Sequence, residues 1–540
     1  MGKRSLVRLL AACMLGVSGM AFAGVPDTVV TTTQIGIAKP EPVNAFVPVV
    51  NPSTEPDSEA INILYPTLLW IGRDLKINLQ RGLVESISVD KSRRVFTLKL
   101  KRWQWSDGKP VTAADVVFDA HLIRAAGKHY AFYGVGNMPT IIKSVKALGP
   151  RTVEVTAARQ VNVHWFEYNV LSQLRALPEQ AWKGLSIDYM VKHVADPAMV
   201  KVVDGPYKLE SYVNGQYIRF EANPLYSGHK PSVRYFEMRF YTTAQAEFGA
   251  LKTGELQIGQ IDPELYAAQH LVENLKSIPS AGGYSMQRVM LNMRDMDVSF
   301  FRSEKVRQAL EAAINQPYII NTLYHGLSAK AYGPVPAAPP TYLSPTARKL
   351  SAADLYDPKR AARLLDEAGW KLVDGVRRKD GKAMHFTLMA APANTQVAQV
   401  VARDWNELGI KVDLRTEAFN ALVGKLYNHK SHWQAVIMGW IYGPNFYPTG
   451  EGLFNTTGHS NNGSFSSPLL DKLIEASTRE PGVESLYRYE DAMHRLLPVL
   501  FIPWPGMLVK YDPKLGGVDR FVNPTGLYSP QYLYYRAGAS

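Results

Sequence analysis

The sequence contains one cysteine, and its position decides how the rest of the chain can be stabilised. Cys13 lies in an N-terminal segment with a basic start, an apolar stretch over residues 9–20, and small residues at Ala21 and Ala23. This pattern is typical of a secretion signal, and we predict that a signal peptidase removes residues 1–23. The mature chain then has no cysteine. Disulfides, thiol nucleophiles and Cys-ligated metal centres are excluded, so the fold depends on its hydrophobic core alone.

A lipoprotein signal is the alternative interpretation of the same segment. The string LAAC at positions 10–13 resembles a lipoprotein cleavage box, which ends in a lipidated cysteine. Only four apolar residues separate Arg8 from Cys13, however, and the apolar stretch continues beyond the cysteine. We therefore favour cleavage after Ala23 over lipidation at Cys13.

Composition and charge indicate a large globular protein without a nucleic-acid partner. Of 540 residues, 46% are hydrophobic, and no apolar run long enough to cross a bilayer follows the leader. Removal of the leader takes away three basic residues and no acid, which lowers the formal net charge from +12 to +9. Nucleic-acid binding requires a clustered basic surface. The densest basic group, residues 377–382, instead contains an Asp-Gly pair that predicts a hairpin turn.

Strand and helix patterns mix along the chain and predict an α/β protein of several lobes. Phe96, Leu98 and Leu100 alternate with residues on the opposite face, the period of a half-buried strand. Thr112 has the features of an N-cap for a helix over the residues that follow it. A further helix is predicted between Pro358, in its first turn, and Gly369, which ends it.

A series of short strings occurs in a fixed order over nearly the whole chain after the leader. They are WSDGKPVTAADV at 105–116, GPYKL at 205–209, ANPLY at 222–226, ALKTGEL at 250–256, VRQAL at 306–310, AIN at 313–315, YDP at 356–358, EAGW at 367–370, LGIKV at 408–412 and GW at 439–440. Their content and order resemble those of the extracellular solute-binding proteins of family 5. These proteins are the dipeptide-, oligopeptide- and nickel-binding components of ABC importers.

The resemblance implies a three-lobed α/β clamshell of the periplasmic-binding-protein type (type II, cluster C-like) with a discontinuous first lobe. By analogy, lobe I comprises residues 24–72, 196–285 and 506–540, lobe II residues 73–195, and lobe III residues 286–505. The ligand would lie between lobes I and III, which hinge closed over it. Contacts made to both lobes would supply the differential affinity that drives closure.

The function implied by the resemblance is that of a periplasmic substrate-binding protein. It would act as a monomer, capture peptides or peptide-like solutes, and deliver them to an ABC permease in the inner membrane, without a cofactor or a bound metal. No zinc-protease, nucleophile-elbow or phosphate-loop motif points to an enzyme. A nickel chelate or a glycoside as the cargo, and a role as a ligand sensor, stay open as alternatives.

The resemblance also implies which residues contact the ligand. In the family, the loop after Gly-Trp lines the ligand cleft, and a loop of the second lobe contributes a tyrosine. The candidates here are Trp440, Tyr442, Gly443, Asn445 and Phe446 from the first loop, with Tyr130 and Tyr133 from the second. A buried core position is the competing interpretation for the tryptophan.

One departure from the family pattern concerns the charge of the ligand. Peptide-binding members usually carry an Asp in the loop after Gly-Trp, where it pairs with the ligand's α-amine, but here no acid occurs between Trp433 and Glu451. Glu451 is one possible substitute. Carbonyl groups with the Asn445 side chain are a second, and a ligand without a free amine is the third. Our hypothesis from the sequence favours the second and third explanations together.

Overall fold

The architecture is described from a computed structural model that covers residues 28–32, 43–50, 55–280, 283–428, 431–523, 525 and 528–536. The predicted signal segment, including Cys13, lies outside these described residues. The strands are β1 Thr28–Thr32, β2 Val84–Val89, β3 Val95–Leu100, β4 Ile142–Gly149, β5 Thr152–Ala157, β6 Tyr207–Val213, β7 Tyr217–Ala222, β8 Tyr235–Arg239, β9 Ile258–Ile261, β10 Lys276–Ser280, β11 Ser285–Leu291, β12 Lys371–Val373, β13 Val376–Lys379, β14 Lys382–Ala383, β15 His385–Ala390, β16 Lys411–Thr416, β17 Ala435–Ile441, β18 Val499–Ile502, β19 Met507–Tyr511, β20 Leu515–Gly516 and β21 Tyr534–Tyr535.

Helices of several lengths accompany these strands. The α-helices are α1 Glu55–Leu64, α2 Ala113–Ala126, α3 Val163–Asn169, α4 Glu179–Trp182, α5 Ile187–Lys192, α6 Ala244–Thr253, α7 Glu304–Ala313, α8 Gln316–Tyr318, α9 Pro345–Ala352, α10 Pro358–Glu367, α11 Thr395–Glu407, α12 Phe419–Tyr427, α13 Pro468–Arg479, α14 Glu484–Leu496 and α15 Val518–Phe521. Short 3-10 segments are Gly127–His129, Val135–Asn137, Leu171–Gln173, Pro197–Val200, Pro263–Val272, Ser299–Arg302, Pro340–Tyr342, Pro392–Asn394 and Pro530–Tyr532, and a π-helical turn is Ile319–Leu323. No helix in the described ranges is long and apolar enough to cross a membrane.

Three large sheets divide the molecule into three lobes. Lobe I surrounds a seven-stranded sheet in the order β10-β19-β9-β1-β8-β7-β6, whose strands come from the beginning, the middle and the end of the chain. Lobe II surrounds the antiparallel sheet β2-β3-β5-β4, and lobe III the mixed sheet β16-β15-β17-β11-β18. The predicted α/β class, with a discontinuous first lobe, is confirmed. The residue boundaries given above for each lobe stay a prediction.

Two neighbouring crossings connect lobe I to lobe III. The chain passes from β10 in the first sheet to β11 in the third, and it returns from β18 to β19. β10 pairs with β19, and β11 pairs with β18, both antiparallel. Because the strands on each side of the two crossings are paired, the points where the crossings leave and enter the sheets lie close together. Such a pair of short connectors is the geometry of a hinge.

Local sequence signals account for the elements predicted above. The strand over residues 95–100 is present as β3. The helix after Thr112 is α2, where the Thr112 backbone N–H donates to the Asp115 carboxylate at 2.7 Å. In α10 the Asp357 side chain accepts from the first turn, Pro358 opens the helix, and Gly369 follows at φ +86°. These caps satisfy N–H groups that a helix end leaves unpaired.

Candidate functional site

A cavity of about 410 Å³ lies where the three lobes meet, beside the two crossings. Lobe I contributes Pro48, Glu55, Ser58, Ile61, Asn62 and Thr525; lobe II contributes Ala131, Phe132, Tyr133, Val135, Ser172, Gln173 and Arg175; the first crossing and the start of β11 contribute Gly283, Tyr284 and Ser285; and lobe III contributes Tyr427, Trp440, Ile441, Tyr442, Gly443, Pro444, Phe446, His459 and Ser460. Any movement of lobe III about the crossings therefore changes the shape of this cavity.

The lobe III side of the cavity is built on the end of β17. Trp440 lies opposite Met286 in the antiparallel pairing of β17 with β11. The next residue after the strand, Tyr442, donates its backbone N–H to the Tyr284 carbonyl at 2.9 Å. A Cβ at Gly439 would lie 2.6 Å from the Trp504 ring, so the glycine of the Gly-Trp pair permits close packing behind the cavity. The sheet thus fixes the aromatic residues that line the cavity.

Trp440 lines the cavity, and its indole ring also contacts a buried cation. The Arg288 guanidinium is 5.7 Å from the centroid of the Trp440 ring, within the range of a cation–π contact. Burial lowers the pKa of Arg288 to about 10, which still leaves it charged at neutral pH. Because this cation lies against the ring, it holds Trp440 in place.

One face of α1 and the end of lobe II form the opposite side. Glu55, Ser58 and Asn62 are spaced so that they share one side of the helix, and all of them line the cavity. The Arg175 guanidinium donates to Asn62 Oδ1 at 2.8 Å and to the carbonyl of Tyr65. Burial lowers the pKa of Arg175 to about 10, and Asp119 partly opposes this effect. The cavity therefore carries a permanent positive charge on this side.

The structure brings together most of the residues predicted for the site. Five of them line the cavity: Trp440, Tyr442, Gly443, Phe446 and Tyr133. Tyr130 and Asn445 are buried and stand outside the lining formed by the described residues. The Tyr130 hydroxyl donates at 2.8 Å to Oε1 of Gln173, a lining residue, and so supports the lining from behind. Ligand contact by the predicted residues remains a prediction.

Several buried polar atoms of the lining have no protein partner within the described ranges. They are the hydroxyls of Tyr284, Ser285 and Thr525 and the indole Nε1 of Trp440. Buried polar groups are nearly always hydrogen-bonded, because an unpaired one costs about 1–3 kcal/mol. Three of these groups are hydroxyls, which can donate or accept, and the fourth is an indole N–H, which only donates. Because the atoms themselves are shielded, a ligand would reach them only after the lining rearranges.

Sequence reasoning missed Glu55, Arg175 and His459, which add the ionisable groups of the lining. None of these residues belongs to a motif quoted above, although the polar face of α1 could have been found from its helical spacing. His459 lies against Gly452, where a Cβ would be 2.7 Å from the imidazole. Burial lowers the pKa of His459, so the ring is neutral at neutral pH and can accept a hydrogen bond or a metal ion.

Comparisons with known proteins agree with this architecture. Residues 78–465 match the family model of the bacterial extracellular solute-binding proteins, family 5. The chain belongs to this family. The oligopeptide-binding protein AppA of Bacillus subtilis is 27% identical over 385 residues, which cover 70% of this chain and 68% of AppA. A putative ABC transporter peptide-binding protein of Brucella ovis is 26% identical over 469 residues, 85% of each chain.

Solved structures of the family share the fold over almost the whole chain. AppA in complex with a nonapeptide superposes with a TM-score of 0.74 at 23% identity, covering 95% of this chain and 99% of AppA. NikZ of Campylobacter jejuni in complex with Ni(L-His) has the same TM-score at 20% identity, with 94% and 99% covered. The family-5 clamshell predicted from the ordered strings is confirmed.

In this family-5 clamshell, lobes II and III also touch each other beside the cavity. The Asn169 side chain, at the end of α3, donates to the Tyr447 carbonyl and accepts from the Tyr447 N–H, each at 2.8 Å. Asn162 donates to the Gly482 carbonyl at 2.8 Å. We call these pairs the closure contact. Tyr447 directly follows the lining residue Phe446, so the same loop faces the cavity on one side and lobe II on the other.

A further hydrogen bond between lobes II and III involves Glu451, the acid considered above as a substitute for the family's Asp. Trp165 of α3 donates its indole N–H to Glu451 Oε1 at 3.1 Å. Burial raises the pKa of Glu451 to about 7, while the Trp165 hydrogen bond and the Arg159 charge act in the opposite direction. Glu451 stands outside the lining formed by the described residues.

Proposed function

We propose that this chain is the periplasmic substrate-binding protein of an ABC importer and that it carries short peptides or peptide-like solutes to an inner-membrane permease. The observation that carries this proposal is the charge pattern of the cavity. Its aromatic side on lobe III faces a carboxylate, Glu55, and a buried guanidinium, Arg175, on lobes I and II. A peptide with free ends has complementary charges and a chain of acceptor carbonyls. The names of the AppA and Brucella relatives point to the same class of ligand.

The size of the cavity favours a short ligand. Its volume of about 410 Å³ lies in the lower part of the range of about 300–1,000 Å³ found for small-molecule sites. The exposed rings of Tyr133 and Tyr427 are part of the lining, so the cavity keeps an open side. Aromatic side chains give large contact area with few rotatable bonds, which suits recognition of varied side chains.

The proposal includes the route and the form of the mature protein. Export would follow cleavage after Ala23, and the protein would act as a periplasmic monomer without lipid at Cys13. The peptide would be released without chemical change, since the family consists of solute-binding proteins. The intact mass of the secreted protein tests the first part. A mass that begins at Gly24 supports it, and a mass that includes a lipidated Cys13 overturns it.

Calorimetry tests the ligand class. Ala-Ala, Ala-Ala-Ala and Ala-Ala-Ala-Ala-Ala are titrated into the purified full-length mature protein at neutral pH. We expect saturable 1:1 binding of at least one of them, with a negative heat-capacity change from burial of apolar surface. No heat of binding from any peptide would contradict the proposal.

A metal chelate is the second candidate ligand, and one observation favours it. The neutral imidazole of His459 lines the cavity and can bind a metal. The described residues contain no group of three or more metal-binding side chains, so the ion would have to bring its own chelator. NikZ, a structural neighbour, binds Ni(L-His). Titration with Ni²⁺ plus L-histidine, compared with L-histidine alone, tests this candidate. Equal heats in the two titrations would exclude it.

A further inference from the structure

The C-terminal end of α13, a helix of lobe III, lies against lobe II. A helix leaves the carbonyl groups of its last turn without partners inside the helix. In α13, two of these carbonyls accept hydrogen bonds from lobe II. The Asn162 backbone N–H donates to the Thr478 carbonyl at 2.8 Å, and Arg93 Nη1 donates to the Arg479 carbonyl at 3.0 Å. Lobe II therefore supplies donors that the helix itself lacks.

Arg159 brings a second guanidinium of lobe II to the same helix end. Its Nη2 donates to Thr478 Oγ1 at 3.0 Å. Burial lowers the pKa of Arg159, and the charge of Arg479 acts in the same direction. The acids Glu451 and Glu475, both in lobe III, oppose this effect. The negative end of the α13 dipole and two acids of lobe III thus interact with cations of lobe II.

The turn between β2 and β3 brings Arg93 to α13. Asp90 Oδ1 accepts from the backbone N–H groups of Arg94 and Val95, each at 3.0 Å. Arg93 has φ +54°, a left-handed conformation that is uncommon for residues other than glycine and that persists where the surrounding structure enforces it. The next residue, Arg94, donates to the Ala158 carbonyl at 3.4 Å within lobe II. Two neighbouring arginines therefore differ in which lobe they contact.

Lobe II is also attached to lobe I by buried hydrogen bonds. The Arg175 guanidinium donates to Asn62 Oδ1 at 2.8 Å, and the Trp103 indole N–H donates to the Asp204 carbonyl at 2.9 Å. Lobe III, by contrast, is joined to lobe I through the two crossings. A rotation of lobe III about the crossings therefore shifts α13 against lobe II and breaks the hydrogen bonds at its C-terminal end.

We propose that Arg93, Arg159 and Asn162, which we call the α13 contact, hold the C-terminal end of α13 and so set how often lobe III separates from lobe II. Two of the three residues are cations, so added salt should weaken the α13 contact by screening their charges. The closure contact described above is formed by uncharged groups. The inference goes beyond the proposed function, because it holds for any ligand of the cavity.

Paired spin labels measure the separation of lobes II and III. The predicted mature chain contains no cysteine, so Lys128→Cys and Thr457→Cys, at exposed positions of lobes II and III, take one label each. Pulsed electron double resonance gives the label distances in the full-length mature protein without ligand. We compare this parent protein with the same chain carrying Arg93→Ala and Arg159→Ala.

We expect the parent protein to populate the label distance of this structure. The ratio of that population to the more separated one should fall about fivefold or more in the double variant, because two donors to the helix end are lost. Equal distributions in the two proteins would overturn the inference. So would a parent protein without the population at the distance of this structure.

Arg94→Ala is the matched control. It removes a neighbouring guanidinium from the same turn, whose hydrogen bond stays inside lobe II, and should leave the label distances unchanged. A shift as large as that of the double variant would overturn the inference, because the effect would then not require contact with α13.

Salt tests the α13 contact without a substitution at its residues. Raising the salt concentration from about 0.1 to about 1 M shortens the screening length from about 10 to about 3 Å. We expect salt to lower the population ratio in the parent protein and to change it less in the double variant; equal salt effects would overturn the inference. Because no ligand is present, failure here leaves the proposed function intact, and absence of peptide binding leaves this inference intact.

Discussion

Removal of the Asn169 side chain should weaken ligand binding although Asn169 does not line the cavity. Its amide forms two hydrogen bonds of 2.8 Å with the Tyr447 backbone across the boundary between lobes II and III. Both residues are fully buried. In an open clamshell the same backbone groups would be hydrated, so their loss of partners counts only against closure.

The magnitude follows from the one group left without a partner. Asn169→Ala removes the acceptor of the buried Tyr447 N–H, at a cost of about 1–3 kcal/mol, whereas the Tyr447 carbonyl still accepts from the Thr449 N–H at 2.9 Å. The lower limit, about 1 kcal/mol, corresponds to a roughly fivefold weaker apparent affinity if ligand binds only the closed form. The loss of affinity should appear as faster ligand release rather than slower binding, because the contact forms after the ligand has entered.

The assay compares two buried asparagines. Calorimetry and stopped-flow release with Ala-Ala-Ala are measured for the wild type, Asn169→Ala and Asn223→Ala. Asn223 donates to the Gly205 carbonyl at 2.9 Å within lobe I, so its loss should lower thermal stability without changing affinity. Unchanged affinity in Asn169→Ala, or equal losses in the two variants, would refute the role of the closure contact.

Three further outcomes are expected from the geometry of the site. Trp440→Ala should weaken Ala-Ala-Ala binding by about 30-fold or more in calorimetry, as truncation of a central aromatic contact costs about 2 kcal/mol; a change below threefold would contradict its placement. Arg175→Lys should lower the affinity for a peptide with a free C-terminal carboxylate but hardly change the affinity for the same peptide with a C-terminal amide. The reason is that lysine lacks the planar guanidinium, which can donate two parallel hydrogen bonds to a carboxylate. Equal losses for both peptides would contradict this. Burial raises the pKa of Glu451 to about 7, and an open clamshell that exposes the carboxyl would return the pKa to about 4.3, so closure would bind a proton. Affinity should therefore fall as the pH rises from 6 to 8, and Glu451→Gln should remove that dependence; a persistent pH effect would refute it.

Features with a local cause could be predicted from the sequence. Asp357, Pro358 and Gly369 define α10 because each satisfies a requirement of a helix end within a few residues. The alternation of apolar and polar residues around Phe96 identifies β3, because the period of two is also a local property of the sequence. The ordered strings identified the fold because they occur over nearly the whole chain after the leader. Trp105, in the longest string, is fully buried, so that signature supports the core rather than the ligand.

The composition of the site could not be predicted in the same way. Glu55 and Arg175 are 120 positions apart and share a cavity only because lobes I and II pack together. Neighbours in sequence also diverge in space. Asn445 lies between two lining residues of the loop yet stands outside the described lining, since successive residues of a turn face different directions. Sequence position alone does not give that direction.

Native mass spectrometry with a peptide mixture tests the central claim most directly. The purified protein is incubated with alanine peptides of two to five residues, sprayed under native conditions, and the bound species is then released and weighed. We expect a 1:1 complex with at least one of these peptides, from which the peptide is recovered with its mass unchanged. A complex that releases a shortened peptide, or a protein that takes up none of the mixture, would contradict the claim.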